Sequence, residues 1–227
     1  MASKRYKNLE NKISKPETID ILLPKVKKNC NVKFDESVDL SLQINNKQKK
    51  NEISIRTVVN LPSGSGKKVK VAVVCEDNKI EKSKSAGADI VGGDDLIDQI
   101  KNGKINFDKL ISTPSMMTKL SKLGKVLGPK GLMPNPKLGT VDEDVVKAVN
   151  NCKSGQVEIR NDKDGNIGVS IGKKSFDDKN LIKNLNAILE TLEKEKISSN
   201  VKGNLIKSSF VSSTMGKSFP LKITRSI

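Results

Sequence analysis

The chain has 227 residues and no histidine, and its 42 lysine and arginine side chains against 26 acidic ones give a formal net charge of +16. Such an excess indicates a polyanionic partner, and a nucleic acid is the simplest choice. The absence of histidine removes the most frequent general base near neutral pH and the most frequent metal ligand, which argues against most enzymes.

The first third of the chain combines a helix with alternating strands. The opening residues are polar and predict no stable element. A helix is predicted over 18–29, and Pro24 should start or kink it. Strict alternation over 38–44 predicts a half-buried strand, and alternation resumes over 53–59 after a polar loop.

The middle of the chain changes character after the Gly/Ser-rich segment 61–66. Residues 69–74 are almost continuously apolar, which is typical of a parallel strand covered on both faces. Helices and strands then alternate, and this rhythm predicts a layered α/β domain. The predicted elements are helix 80–86, strand 89–91, helix 94–101, strand 109–112, helix 114–123 and, after a Gly/Pro loop, helix 142–151.

Alternation returns in the last third. Asp164-Gly165 supplies a tight turn between strands 156–160 and 167–171. An amphipathic helix over 178–196 and strands near 205–213 and 218–224 complete this region.

These patterns predict an α+β and α/β fold with two domains. The simplest arrangement is a split two-layer α+β domain made of 1–66 and 155–227, with a three-layer α/β domain inserted at 67–154. Periodicity supports the change of type but does not by itself prove the insertion.

Several segments were weighed as chemical sites. Segment 61–68, LPSGSGKK, lacks the first glycine and the final hydroxyl of a phosphate-binding loop, so a linker is the better interpretation. The acidic clusters at 94–95 and 142–144 lie where helices start and complement their dipoles. The three cysteines have no Cys-x-x-Cys spacing, so we expect buried thiols and neither a disulfide nor a zinc site.

Two segments remain as binding candidates. Segment 113–141 combines glycines and prolines with five lysines and no acid, a composition that lets backbone amides and ammonium groups approach phosphates. A lid that merely caps the sheet is the alternative. Segment 208–217, SSFVSSTMGK, offers hydroxyls for ribose and phosphate contacts, although an ordinary turn has the same composition.

The run KLGKVLGPKGLMPNPKLGTV at 122–141 resembles the ribosomal protein L1 family. Further matching segments, in order, are 33–38 (KFDESV), 61–67, 86–93, 160–163 and 213–216 (STMG), and together they cover essentially the whole chain. The resemblance implies a split RNA-binding domain and an inserted Rossmann-like domain. It also implies a large-subunit stalk protein near the exit site for tRNA, without catalysis or cofactor.

The resemblance also implies which residues contact RNA. The main RNA surface would comprise Lys33, Phe34, Ser37, Asp39, Ser208, Thr214, Met215 and Gly216, flanked by Lys163, Lys173 and Lys217. A second loop facing RNA or tRNA more loosely would present Lys125, Gly128, Lys130, Gly131 and Lys137. Lys217 stands where the family often has proline, and would add a contact.

The implied partners are the ribosomal RNA of the large subunit, exit-site tRNA and, as in many bacterial members, the protein's own messenger RNA. We expect a cytoplasmic location on the ribosome, no membrane association and a monomer away from the ribosome. Two alternatives stay open: a nucleotide-using enzyme built on the α/β domain, and a general nucleic-acid coat protein held only by its lysines.

Overall fold

The computed structural model describes residues 4–7, 9, 15–45, 55–198 and 203–223. The helices are α1 (Lys4–Lys7), α2 (Ile19–Lys28), α3 (Asp77–Ser85), α4 (Asp94–Lys101), α5 (Pro114–Ser121), α6 (Gly124–Leu127), α7 (Val145–Lys153) and α8 (Asp178–Ser198). The strands are β1 (Ser37–Ile44), β2 (Arg56–Asn60), β3 (Val71–Val74), β4 (Ile90–Gly92), β5 (Lys109–Ser112), β6 (Gln156–Arg160), β7 (Asn166–Lys173), β8 (Ile206–Ser213) and β9 (Phe219–Pro220).

An antiparallel sheet of order β7-β1-β8-β9 has the predicted strand 38–44 at its centre. Its even-numbered residues in β1 are buried and its odd-numbered ones are more exposed, as the alternation predicted. The buried side packs on the apolar faces of α2 and α8. The other side of the sheet carries no apolar cluster of described residues.

Helix α2 passes through Pro24 instead of starting there. Proline cannot donate the hydrogen bond that residue 24 would give to the carbonyl of Asp20. Both Asp20 and Pro24 are exposed, so this carbonyl lies at the hydrated side of the helix. Leu22, Leu23 and Val26 on the opposite side are fully buried, and their burial offsets the missing bond.

The predicted hairpin turn joins β6 and β7. The backbone N–H of Asn166 donates to the Asp162 carboxylate at 2.6 Å, and this bond lowers the pKa of Asp162. Gly165 has a φ of 80°, which explains the need for glycine at this position. The predicted strand 53–59 appears as β2, beginning at Arg56, while the loop and Ile53 lie largely outside the described residues.

A parallel sheet of order β4-β3-β5 forms the predicted α/β region. All of β3 is buried, and its residues alternate between two apolar clusters. Ala72 and Val74 pack with residues of α4 and α5, whereas Val71 and Val73 pack with residues of α7. A separate two-stranded sheet pairs β2 with β6. The described residues thus form a mixed α/β fold with an antiparallel and a parallel region, as predicted.

The Gly/Pro segment after α5 has more structure than the predicted loop. Leu123 and Leu127, four residues apart, are buried and hold the short helix α6 against the sheet. A 3-10 turn follows at Pro136–Leu138, and Val141 then pairs with Ser112. The sequence pattern missed these elements because each is shorter than two helical turns.

Contacts divide the chain into two compact units, which we call unit 1 (1–66 with 157–227) and unit 2 (67–156). None of the described helices is both long and apolar enough to cross a membrane.

Candidate nucleic-acid interface

The side of the antiparallel sheet opposite α2 and α8 is here called the outer face. Its residues point away from the core and are mostly hydroxyl and amide side chains. They are Ser37, Asp39, Ser41 and Gln43 of β1, Asn166, Gly168 and Ser170 of β7, and Ser208, Phe210 and Ser212 of β8. Such a surface offers many donors and acceptors with little charge of its own.

At one end of the outer face, residues Thr214, Met215 and Gly216 follow β8 and form what we call the 214–216 turn. Thr214 is tied to β1 in both directions. Its backbone N–H donates to the Ser37 carbonyl at 3.1 Å, and its hydroxyl accepts the Ser37 N–H at 3.0 Å. The Thr214 hydroxyl therefore fixes the position of the turn.

A buried carboxylate supports the same turn from below. Glu36 is 0% exposed, and its Oε2 accepts the backbone N–H of Met215 at 3.0 Å. The backbone carbonyl of Glu36 accepts the Lys174 N–H at 2.8 Å. This bond joins the backbone at Glu36 to the segment after β7. Sequence reasoning missed Glu36, although the alternation that buries Val38 and Leu40 also directs residue 36 inward.

Gly216 lies in close contact with Ser213. A Cβ atom built on it would lie 2.3 Å from the Ser213 hydroxyl, far inside contact distance. The Gly216 N–H also donates to the Ser213 carbonyl at 3.1 Å. The backbone at Gly216 therefore stays tight and accessible, as a close approach to a nucleic-acid backbone needs.

Two large apolar side chains are exposed beside this turn. Phe34 is 52% exposed and Met215 is 45% exposed. The Phe34 segment is held by its neighbour Asp35, whose carboxylate accepts the Ser175 N–H at 3.1 Å and the Ser175 hydroxyl at 2.8 Å. Lys33 is exposed next to Phe34. Fixed, exposed apolar groups beside a lysine suit packing on sugars and bases.

Charged groups at this end of the outer face balance each other. The Lys173 ammonium donates to the Ser37 hydroxyl at 3.0 Å and to the Asp35 carbonyl at 3.4 Å. Asp39 is partly buried, and burial raises the pKa of its carboxyl, although a hydrogen bond from Ser170 and the charge of Lys173 act in the opposite direction. Burial in the central strand of the sheet therefore disfavours the ionised form of Asp39.

Lys217 corrects one prediction, because it is not an exposed lysine at the rim. It is 8% exposed, and its ammonium donates to the Leu9 carbonyl at 3.0 Å and lies 5.3 Å from the centre of the Tyr6 ring. Its hydrocarbon stem and charge are used to hold the first residues of the chain. An ammonium group so engaged does not add the RNA contact expected from the sequence.

The polar opening segment is also more engaged than predicted. Within it, Arg5 donates to the Met215 carbonyl at 3.0 Å and to the Asn31 side chain at 2.9 Å. Arg5 and Glu36 thus bind the carbonyl and the N–H of Met215, respectively. No sequence signal pointed to this contact, since it joins residues 210 positions apart.

Two predicted residues lie at the far end of the outer face. Ser208 pairs with Gln43, and its hydroxyl donates to the Gln43 side chain at 3.2 Å. Lys163 is exposed in the turn before β7, whose first residue, Asn166, also pairs with Gln43. Ser37 and Gln43 are separated by six strand positions, or roughly 20 Å. The predicted surface is therefore a long face and not one cluster.

The second predicted loop belongs to unit 2. Lys125, Lys130 and Lys137 are all exposed. Gly131 has a φ of 68°, and a Cβ on Gly128 would lie 2.6 Å from the Gly124 carbonyl, so both positions need glycine. The segment is thus a shaped, lysine-bearing surface.

The enzyme alternative finds no support in the linker 61–66. A phosphate-binding loop opens a helix, but this segment is followed by the strand β3. Asn184 of α8 uses its side chain to accept the Ser63 N–H at 3.0 Å and to donate to the Gly64 carbonyl at 3.0 Å. The loop's polar groups are therefore engaged within unit 1.

The described residues also bring together no group of three or more cysteine, aspartate or glutamate side chains that could hold a metal ion. Cys30, Cys75 and Cys152 are buried, and burial raises the pKa of each thiol above its ordinary value. A fixed polar face with exposed apolar groups and surrounding lysines has the character of a nucleic-acid-binding surface.

Comparison with known proteins gives the family. The sequence model of the ribosomal protein L1p/L10e family matches residues 26–217. The chain is 66% identical over 230 residues to the large ribosomal subunit protein uL1 of Pelagibacter ubique, and the match covers all of both proteins. It is 46% identical over 224 residues to uL1 of Rickettsia akari, covering 97% of this chain and 93% of that protein.

The chain therefore belongs to the ribosomal protein L1p/L10e family. The resemblance found in the sequence is confirmed. Because this family consists of ribosomal proteins and not enzymes, the prediction that the chain has no catalytic activity is confirmed as well.

Proposed function

We propose that the chain is a structural constituent of the large ribosomal subunit that binds ribosomal RNA through the end of the outer face formed by the 214–216 turn. One observation carries the assignment of this surface. The turn is held rigidly by Ser37 and Glu36, yet Thr214 and Met215 remain exposed. Such an ordered exposed surface lowers the entropic cost of binding a folded RNA.

The side chains divide into two kinds of contact. Phe34 and Met215 would pack on a sugar or an unstacked base, and the glycine backbone at 216 would allow close approach. Lys33 and Lys173 would lie against phosphates. Ser37 and Asp39 would accept or donate hydrogen bonds to ribose 2′-hydroxyl groups, which distinguish RNA from DNA.

We further propose the more specific role that the family resemblance implies. The RNA would be the mobile stalk of the large subunit near the exit site, and the protein would assist release of deacylated tRNA. The exposed lysines of the unit 2 loop support a looser contact with RNA or tRNA. Repression of the protein's own messenger RNA would use the surface that binds ribosomal RNA.

The domain organisation forms part of this proposal. Unit 1 would be a split two-layer α+β domain that grips RNA, and unit 2 an inserted, three-layer Rossmann-like domain. Two observations support it: the apolar clusters of the two sheets are separate, and the parallel sheet has helices on both faces.

The general coat-protein alternative predicts binding through charge alone. Purely electrostatic binding falls steeply with salt and shows no preference among RNAs. The proposed surface is instead mostly hydroxyl, amide and apolar, so its preference for a folded target should persist as salt rises.

Competition binding tests this proposal. Filter binding of a folded large-subunit stalk RNA fragment is measured against random RNA at increasing salt, for the wild type and for Thr214→Ala. Loss of the Thr214 hydroxyl leaves the Ser37 N–H unpaired, so we expect specific affinity to fall by about 1–3 kcal/mol. Thr118→Ala, an exposed threonine of α5, is the matched control and should bind as the wild type.

The proposal fails if the wild type shows no preference for the folded fragment, or if Thr214→Ala and Thr118→Ala bind it equally well.

A further inference from the structure

An aromatic ring lies in the middle of the otherwise polar outer face. Phe210 of β8 is 39% exposed and pairs with Ser41 of the central strand. The chain has only five phenylalanines and no tryptophan, and most of its core is aliphatic. A single exposed ring is common on protein surfaces, so a binding site at Phe210 is indicated by what surrounds the ring and not by its exposure alone.

Two grooves flank this ring, and each has a volume of about 360 Å³. The first groove, towards β7, is lined by Ser41, Gln43, Asn166, Gly168, Ser208 and Phe210. The second groove, towards β9, includes Asn204, Lys207, Ser208, Phe210, Pro220 and Lys222 in its lining. Phe210 and Ser208 thus form the ridge between the two grooves.

The two grooves differ in charge. The first combines uncharged hydroxyl and amide groups with apolar surface from Leu42, Ile167 and Phe210, which suits the face and the polar edge of a base. The second contains the exposed ammonium groups of Lys207 and Lys222, and neither lysine forms an ion pair with another described residue. Among the described residues, no carboxylate lines either groove.

Gly168 makes room beside the ring. It pairs with Ser41 from the other side of β1, and a Cβ built on it would meet nothing within 4 Å. The glycine is therefore not needed for internal packing or for a positive φ. Its effect is to leave the floor of the first groove flat, as the approach of a planar base requires.

We propose that Phe210 and its two grooves form a second subsite that binds an unpaired RNA nucleotide. The base stacks on the Phe210 ring, the first groove takes its polar edge or ribose, and Lys207 and Lys222 take the adjacent phosphates. This assignment rests on the proposed RNA-binding function and extends it. Phe210 precedes Thr214 by four residues in the chain, so the subsite lies roughly 13 Å from the start of the 214–216 turn.

The test uses the full-length protein and a single-stranded oligoribonucleotide of about ten nucleotides, a length within the range that one such groove covers. A single 2-aminopurine reports stacking by fluorescence quenching, and a 5-iodouridine version reports the contacted residue by photo-crosslinking. The stalk RNA fragment is titrated in parallel as an independent measure of the proposed function.

Three variants separate stacking from charge and from folding. Phe210→Leu keeps an apolar side chain but removes the stacking face, so the oligomer should bind at least about fivefold more weakly with no quenching. Phe210→Tyr should restore both signals. Gly168→Val fills open space in a strand without a clash and should also weaken oligomer binding. Thermal melts confirm that each variant is folded.

Val146→Ala is the control, because it removes an exposed apolar side chain from α7 of unit 2, outside the proposed surfaces, and should leave quenching unchanged. Crosslinking to Phe210 in the wild type, lost in Phe210→Leu, supports the subsite. Wild-type oligomer affinity and quenching in Phe210→Leu would overturn it. The subsite would also be overturned if Phe210→Leu impaired only assembly with other ribosomal proteins and left oligomer binding and quenching unchanged.

The two proposals fail separately. Loss of stalk-fragment binding in Thr214→Ala but not in Phe210→Leu, with unchanged quenching in Phe210→Leu, would leave the ribosomal function standing and remove the subsite. Quenching at Phe210 in a protein that does not prefer the stalk fragment would do the reverse.

Discussion

At the scale of single residues, Glu36 links the buried interior to the exposed 214–216 turn. A fully buried carboxylate is costly unless its oxygens are hydrogen-bonded, and here Oε2 is used by the Met215 N–H. Its Oε1 is buried and has no hydrogen-bond partner among the described residues, so the contact with Met215 is the one that gives Glu36 a structural role in the turn.

Removal of this support should loosen the turn. For Glu36→Ala we expect a fall in RNA affinity and in the free energy of unfolding, each by about 1–3 kcal/mol, because the Met215 N–H loses its acceptor. Glu36→Gln retains an acceptor oxygen and should recover much of the affinity. Filter binding and thermal melts measure both effects, with Glu81→Ala on the exposed side of α3 as control. Unchanged RNA affinity in Glu36→Ala would contradict this role.

Asp39 gives a prediction about pH. Its pKa is raised in the folded protein, so the native state holds this proton more tightly than the unfolded state does. The contribution of Asp39 to the free energy of unfolding is therefore most favourable below pH 3.8. It decreases as the pH rises through the raised pKa of the folded state. Asp39→Asn should be more stable than the wild type at neutral pH, and the difference in Tm should vanish below the ordinary carboxyl pKa. Parallel Tm curves across this range would contradict the argument.

At the scale of elements, the spacing of apolar residues along the sequence predicted most of the helices and strands. The alternation of β1 gave the buried and outer sides of the central strand, and the apolar run 69–74 gave the buried parallel strand. These predictions succeed because burial on one or both faces imposes a local pattern that survives in the sequence.

The features that the sequence did not predict depend on partners distant in sequence. The burial of Lys217 against Leu9, the brace from Arg5 to Met215 and the separation of Ser208 from Thr214 all follow from strand register and chain return. A lysine at a strand end has the same local sequence whether its ammonium group is free or held. Only the packed structure distinguishes the two.

Helix α2 carries a prediction of its own. Replacement of Pro24 by alanine restores the N–H that can donate to the Asp20 carbonyl and removes a poor helix former. The gain is reduced because proline also restricts the unfolded chain. We expect Pro24→Ala to raise the free energy of unfolding by about 2 kcal/mol, as measured by urea denaturation. A less stable Pro24→Ala would show that the ring's packing outweighs the lost bond.

At the scale of the whole molecule, the net charge of +16 is a poor guide to the specific surface. The outer face is dominated by uncharged side chains, while exposed lysines occur on both units. Charge therefore explains general attraction to polyanions, and the arrangement of hydroxyls, backbone and exposed rings explains preference.

A triple substitution tests this division. With Lys125, Lys130 and Lys137 all replaced by alanine, binding of the isolated stalk fragment should fall by less than 1 kcal/mol, as expected of exposed charges screened by salt. The salt dependence of binding should change little. Thr214→Ala, by contrast, should lose affinity at every salt concentration. Equal losses in the two variants would place the main RNA surface on unit 2.

The central position of β1 has a consequence for the order in which the protein matures. Its partners β7 and β8 lie more than a hundred residues further along the chain, whereas unit 2 is continuous and can fold as soon as it emerges. During synthesis one edge of β1 stays unpaired until Lys173 of β7 has left the exit tunnel, and the other until Ser213 of β8 has done so. An incomplete chain therefore lacks the part of the outer face that β8 and the 214–216 turn supply.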